Sequence, residues 1–282
     1  MKQVLAVDLG GTKTAIALVD ESGNIAEKQK LPAASDFRAT VEQILAYNRS
    51  TIAAAGVIVP GIYAPSTGSA WAPNLWNDDF HPLRTALEEK ITVPVAIGSD
   101  RTGSVLAEEQ WHGAARGLQD VLFAAIGTGI GIGILSRGKP LEGAHGIAGA
   151  AAWMVVGGPW KSEYLTCGGW ETEAAGPAVA RRRGMQSAEA VVIAARAGDS
   201  KALDALNETS DYLALGVAGL IAMFDPEMVV FGGGLMQASD LMLDRIRSQA
   251  LRWTQPVAAR HVRIEKSALE EDAGLLGAAR LA

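Results

Sequence analysis

The sequence predicts an α/β fold built from two copies of one architecture, and three observations carry that expectation. An apolar run, a glycine-threonine turn, a second apolar run and a polar turn follow one another over 5–23 and again over 121–139. Short apolar runs bounded by Gly, Pro and Asp alternate with longer helical patterns. The length of 282 residues suits two ordinary domains better than one oversized domain.

Each element follows from local chemistry. Residues 4–7 form an apolar strand that stops at Asp8, and 14–19 form a second strand beyond the glycine turn. Asp20-Glu21-Ser22-Gly23-Asn24 then turns the chain into a third strand. A helix is expected over 40–54, a strand over 56–59 stopping at Pro60-Gly61, and a buried strand over 94–97 ending at Gly98-Ser99-Asp100. The next helix runs to His112, where Gly113 stops it. The pattern restarts with strands 121–126 and 130–135 on either side of Gly127-Thr128-Gly129. From 141 to 176 the chain carries eight glycines and reads as loop. Helical segments fill 177–224, a strand over 228–231 enters Gly232-Gly233-Gly234 ahead of a helix, and small apolar residues over 272–281 make a closing helix suited to tight packing. The lobes are placed at 1–113, joined by the closing helix 272–282, and at 114–271.

Composition removes several classes of function. A net charge of −6 disfavours a general nucleic-acid or membrane-surface binder, since neither polyanion attracts it. Asp8 interrupts what would be the apolar stretch of a signal peptide, and the apolar run 212–224 is shorter than the roughly 20 residues that span a bilayer. The single Cys167 closes no intrachain disulfide, which fits a reducing cytoplasm.

Three glycine turns suit phosphate. In Asp8-Leu9-Gly10-Gly11-Thr12-Lys13-Thr14, glycines directly after a strand let backbone N–H groups approach phosphate oxygens. Thr12 and Lys13 add a hydroxyl and a cation, and Asp8 can hold a hydrated magnesium ion. The same heptad also serves as a plain glycine hairpin. It lacks the Gly-Lys-Ser/Thr of a P-loop, and the alternating glycines of 127–133 never give GxGxxG, which removes the dehydrogenase fingerprint. Gly127, Thr128 and Gly129 read either as a second clamp or as a glycine-rich strand. Gly232, Gly233 and Gly234, between a strand and a helix, leave room for an adenine or ribose against the backbone.

Asp100 lies where a strand gives way to a helix, so it is either an N-cap, as Ser99 also can be, or a general base that takes the proton of an attacking hydroxyl. Asn74, within Ala70-Trp71-Ala72-Pro73-Asn74-Leu75-Trp76-Asn77, can both donate to and accept from vicinal hydroxyls, while the indoles either cover a sugar face or pack locally. Glu171 and Glu173 offer carboxylates to sugar hydroxyls or to solvent.

In order along nearly the whole chain, these motifs resemble the ROK family of bacterial sugar kinases. The likeness rests on Asp8 to Lys13, Pro60-Gly61, Pro73-Asn74-Leu75, Asp100, Gly127 to Gly131, Glu142-Gly143-Ala144-His145-Gly146-Ile147-Ala148-Gly149, Phe231-Gly232-Gly233-Gly234 and Asp272-Ala273-Gly274-Leu275-Leu276-Gly277-Ala278-Ala279. The resemblance implies a two-lobed actin-like (ribonuclease-H-like) ATPase fold with a nucleotide and sugar cleft between the lobes. It also implies ATP with magnesium, a homodimer, and Asp100 as the base acting on a C6 hydroxyl. Asn74, Ser99, Asp100 and Glu171 fall at sugar-side positions.

The departures are as informative. Ser99 stands where the family has Asn, and Ala150 and Trp153 replace its sugar-binding Glu and its sugar- and zinc-binding His. Cys167 is what remains of the zinc cysteines, and one thiol without that histidine makes no four-ligand site, so no zinc is expected. Trp153, Trp160 and Trp170 are expected to hold the loop by packing. The expected activity is ATP:hexose 6-phosphotransferase on a hexose or N-acylhexosamine; the alternative is a sugar-sensing protein of the same fold without turnover. Asp8 falls too near Met1 to leave space for an N-terminal DNA-binding region.

Overall fold

The computed structural model describes residues 2–49, 51–269 and 272–282; Met1, Ser50, Glu270 and Glu271 lie outside the described residues. The chain divides into two compact units, one holding the described residues of Met1–Arg116, Pro140–Ala148 and Glu271–Ala282, the other Gly117–Lys139 and Gly149–Glu270.

The first unit opens with β1 (Gln3–Leu9), β2 (Lys13–Asp20) and β3 (Ile25–Pro32), followed by α1 (Phe37–Leu45) and β4 (Ile52–Val59). A small antiparallel sheet comes next, made of β5 (Ile62–Ala64), β6 (Ser69–Trp71) and β7 (Phe80–His81); then α2 (Leu83–Glu88), β8 (Val95–Ser99) and α3 (Asp100–Glu109). The main sheet has the order β3-β2-β1-β4-β8. Its β1 is antiparallel to β2 and parallel to β4, and β4 is parallel to β8.

Strand periodicity divides this sheet's two faces. Leu5, Val7, Leu9, Ala55, Val57, Val59, Val95 and Ile97 cluster with Val41 and Ile44 of α1 and with Leu83 and Leu87 of α2. The residues between them point the other way, and Asp8 is one of those.

The second unit contains β9 (Val121–Ile126), β10 (Ile130–Ser136), β11 (Lys139–Pro140), α4 (Tyr164–Cys167), α5 (Gly169–Ala174), α6 (Gly176–Arg183), α7 (Ala188–Arg196), α8 (Ser200–Phe224), β12 (Met228–Gly232), α9 (Ser239–Trp253) and β13 (Arg263–Lys266). Its sheet order is β11-β10-β9-β12-β13, with β9 antiparallel to β10, parallel to β12, and β12 parallel to β13. In each five-stranded sheet a hairpin is thus extended on one side by two parallel strands and on the other by one further strand, and the repeat read in the sequence is a repeat of topology.

The chain closes with α10 (Ala273–Leu281), which belongs to the first unit. Its small residues are required. A β-carbon on Gly277 would lie 2.3 Å from the Gly103 backbone in α3, and one on Gly56 in β4 would lie 1.8 Å from the Ala278 carbonyl oxygen. No helix among the described residues is long and apolar enough to cross a membrane.

Two expected elements are corrected. The helix expected over 40–54 ends at Leu45, with Asp36 capping it through Ala39 N–H at 2.9 Å, and Ile52 to Ala54 belong to β4. The run Ile52-Ala53-Ala54-Ala55 has good intrinsic helix propensity, but its place between β1 and β8 overrides that preference. The stretch 141–176, read as loop, contains α4 and α5. The first unit also extends past the expected boundary at Gly113 and takes in Pro140–Ala148. There Gly146, at φ 70°, lies against the Tyr63 carbonyl, and Arg101 Nη2 reaches Gly146 O at 3.4 Å.

Candidate active site

In the first unit, the residues singled out at Asp8, the glycine turn, Asn74 and the Ser99-Asp100 pair gather at one end of the main sheet. Asp8 lies one residue before the end of β1, and the turn to β2 is closed by Gly10 N–H donating to Lys13 O at 2.9 Å. Thr12 and Lys13 are exposed on this turn. A β-carbon on Gly11 would lie 3.7 Å from the Asn74 β-carbon, so the turn and the amide are neighbours. Asn74 is exposed, in the turn after β6.

The tryptophans beside Asn74 are locally engaged. Trp76 Nε1 donates to Thr40 Oγ1 at 2.9 Å, and its ring lies 5.2 Å from Phe37 and 5.4 Å from His81. Trp71 Nε1 donates to Asp78 Oδ1 at 3.0 Å.

The geometry of α3 settles which of Ser99 and Asp100 caps it. Ser99 is the N-cap: its buried hydroxyl accepts from Thr102 N–H at 3.2 Å and donates to Thr102 Oγ1 at 3.0 Å. Asp100 is thereby relieved of capping, and its carboxylate accepts the Arg101 N–H, at 2.8 Å. Burial raises the Asp100 carboxyl above the ordinary range, against the pull of the Arg101 guanidinium. Burial pushes Asp8 up to about 6, helped by the negative charge of Asp100. Two desolvated carboxylates that feel one another suit either proton transfer or a shared cation.

Sequence reasoning missed two partners of this pair. Arg101 places a cation in the first turn of α3, against the helix dipole, with its Nε buried and unpartnered. Gly274 admits the Asp8 carboxylate, since a β-carbon there would lie 2.0 Å from Asp8 Oδ2. A basic residue directly after a candidate base was the available signal for Arg101. Gly274 stands in the motif Asp272 to Ala279, but nothing local ties it to Asp8.

In the second unit, the turns at Gly127 to Gly129 and Gly232 to Gly234 meet. A β-carbon on Gly127 would lie 3.8 Å from Gly234 N, and both turns line a cavity of about 870 Å³ whose walls include Pro177, Gln186, Glu189, Ile193 and Leu235. A β-carbon on Gly234 would meet nothing within 4 Å, so that face is open to a ligand. Gly233, at φ 88°, needs glycine for its backbone. The helix expected after these glycines begins as a 3₁₀ turn, Gly234–Ala238, before α9.

Glu171 lies on α5 with Oε2 accepting Ile130 N–H at 2.7 Å. Burial raises its carboxyl, and that hydrogen bond opposes the rise. Glu173 is no free ligand. Its buried carboxylate takes Lys161 Nζ at 2.5 Å, Tyr164 OH at 2.9 Å and Arg182 Nη2 at 3.2 Å. Burial works against its charge, but these bonds together hold the carboxyl below its ordinary value.

This cluster corrects the expected tryptophan packing. Trp170 is fully buried with Nε1 donating to Tyr212 O at 2.9 Å, whereas Trp153 and Trp160 are 58% and 68% exposed. The segment is held by one indole and a carboxylate hub. Cys167 Sγ contacts Thr172 Oγ1 at 3.3 Å, and among the described residues no group of three or more His, Cys, Asp or Glu is placed to hold a metal ion.

A profile of the ROK family matches residues 4–282. The glucokinase of Thermotoga maritima is 31% identical over 310 residues, covering 99% of this chain and 96% of that protein. The bifunctional enzyme NanE/NanK of Brucella suis is 34% identical over 293 residues, covering 99% of this chain and 53% of that longer protein. The crystal structure of a ROK family glucokinase from Streptomyces griseus in complex with glucose and AMPPNP matches with a TM-score of 0.83 at 28% identity, covering 99% of each chain. With its two sheets of like topology and glycine turns at corresponding strand ends, the chain belongs to the ROK family and has its two-lobed, actin-like α/β fold.

Proposed function

We propose that this protein is an ATP-dependent sugar kinase that transfers the γ-phosphoryl group to the 6-hydroxyl of a hexose or N-acylhexosamine. The observation that carries the reading is Asp100, a half-buried carboxylate that Ser99 frees from capping and that lies within electrostatic reach of Asp8. Asp100 accepts the proton as the acceptor O–H bond breaks; the oxygen bonds to phosphorus, and the P–O bond to ADP breaks in line. Ser99 positions that base rather than binding sugar, because its hydroxyl is already spent on Thr102.

Adenine and ribose are assigned to the 870 Å³ cavity, which Gly127, Thr128 and Gly234 line; Gly129 belongs to the first of these turns, and Gly232 and Gly233 shape the second by packing on Phe123 and the Ile126 backbone. The turn of Gly10, Gly11, Thr12 and Lys13 supplies further phosphate contacts. Magnesium fits Asp8: among the described residues no cation pairs with this half-buried carboxylate, and Gly274 leaves it room. When bound there through water, the ion would neutralise phosphate charge. Asn74 and Glu171 are assigned to sugar hydroxyls. The S. griseus relative, with glucose and an ATP analogue, supports both halves of the assignment. The reading further includes a homodimer in the cytoplasm that needs no zinc, its loop being anchored by Glu173 and Trp170.

An ADP-release assay over glucose, mannose, fructose, allose, N-acetylglucosamine and N-acetylmannosamine tests the proposal. Absence of turnover with every sugar would instead favour a sensor, a reading that Ala150 and Trp153 keep in view. A second test isolates the nucleotide cavity. Gly234→Val fills open space and strains no backbone, so the thermal midpoint stays constant while KM for ATP rises about tenfold, the equivalent of losing about 1.4 kcal/mol of contact. An unchanged KM would remove Gly234 from the nucleotide site.

A further inference from the structure

The turn between β9 and β10 is shaped by more than its own backbone. Gly127 N–H donates to Gly129 O at 3.0 Å, and Gly176 N–H, at the start of α6, donates to Gly127 O at 2.8 Å. The third tie is a side chain: Glu171 Oε2 accepts Ile130 N–H at 2.7 Å. Its carboxylate lies so close over the turn that a β-carbon on Gly129 would come within 2.6 Å of Oε2. The amides of Thr128 and Gly129 have no protein partner among the described residues and remain available to a ligand.

Glu171 approaches from behind the nucleotide cavity. It lines a separate cavity of about 310 Å³ that shares Thr128, Pro177 and Arg181 with the larger one. A carboxylate facing a polyphosphate would repel it, but one that takes the outward N–H of Ile130 leaves the remaining amides for phosphate oxygens. The helix carrying Glu171 is firmly seated, one residue earlier by Trp170 on Tyr212 O and two residues later by Glu173 on Lys161, Tyr164 and Arg182. Its position is therefore imposed by α5 and not by the flexibility of a loop.

We propose that Glu171 is a positioning residue for the phosphate turn: through Ile130 N–H it sets the shape of Gly127 to Gly129 in which the turn binds the nucleotide's phosphates. This is separate from its assigned contact with the acceptor, and it rests on the ATP half of the proposed function.

The test is calorimetric titration of the full chain with a non-hydrolysable ATP analogue and magnesium, with no sugar present, so that loss of an acceptor contact cannot enter. E171A weakens binding about tenfold, because the Ile130 N–H loses a charge-assisted partner. E171Q, whose amide oxygen still accepts from Ile130, recovers most of that loss. Amide hydrogen exchange at Ile130 accelerates in E171A and stays slow in E171Q.

Wild-type affinity in E171A would overturn the proposal. If E171A does not fold, Gly129→Ala serves instead, since its methyl group displaces the carboxylate: slow Ile130 exchange in that variant would also overturn it. If the wild-type chain binds no nucleotide, the ATP reading fails; Ile130 exchange in the E171 variants then still decides whether Glu171 holds the turn.

Discussion

Asp100→Asn lowers kcat about 1,000-fold while KM for the sugar changes little, because the amide keeps the volume and still accepts from Arg101 N–H but cannot take a proton. The expected loss is large because Asp100 has no nearby substitute. Ser99 is tied into the cap, and Asp8, the other carboxylate at this end of the sheet, is assigned to the metal. The pH profile supplies an independent check. Burial raises Asp100, so its ionised, proton-accepting form is present at high pH and disappears as pH falls through a value above the ordinary 3.8. The wild-type rate therefore declines on the acid side, and the variant loses the share of that limb due to Asp100 while keeping the share due to Asp8, whose carboxyl is pushed up to about 6. Steady-state ADP release between pH 4 and 9 measures both effects. Turnover above a tenth of wild type in the variant would remove Asp100 as the base.

Glu173→Ala is the second large effect, and it acts on stability. Removing the carboxylate leaves the Arg182 guanidinium, itself only 10% exposed, without its buried partner; Glu208, at 2.7 Å from Arg182 Nε, is mostly in solvent and compensates little. Lys161 is nearly half exposed and can return to water, so its share is small. The expected cost is about 3 kcal/mol, typical of breaking one side of a buried pair. Urea unfolding followed by tryptophan fluorescence measures it, since Trp170 lies in the same segment. Glu173→Gln falls between the two, because its amide oxygen still accepts from Lys161 and Tyr164.

The sign of the pH dependence follows from the direction of the shift. The folded-state carboxyl of Glu173 is held below its ordinary 4.5, so its contribution is complete above pH 4.5 and is lost as pH falls through the lower folded value. The gap between wild type and Glu173→Ala narrows over that acid range. An equal gap at pH 7 and pH 3 would show that packing, not charge, supports the segment.

Much of the fold was legible because strand ends in this chain carry local markers. Glycine directly after an apolar run marks the turns after β1, β9 and β12, and each lies within one or two residues of the expected place. The helix expected over 40–54 stops short where local chemistry and tertiary position disagree, at an alanine-rich run that the sheet centre claims as strand. The loop expected over 141–176 gives way to α4 and α5 for the opposite reason. Short helices of 4 and 6 residues have little intrinsic stability and exist because Trp170 and Glu173 anchor them elsewhere.

The repeat of strand, glycine turn and strand, the candidacy of Asp8, Asp100 and Asn74, and the family resemblance are all written in the linear chain. Those properties follow from residue types at short spacing, where backbone geometry and hydrogen-bonding capacity act locally. Folding sets the rest: Ser99 caps α3 and leaves Asp100 unburdened, Gly274 makes room for Asp8 from 266 positions away, and Glu173 becomes a structural hub while its neighbour Glu171 grips the Ile130 amide. Two glutamates two positions apart look alike in a sequence. On α5 they point to different partners, and burial with those partners sets what each carboxylate can do.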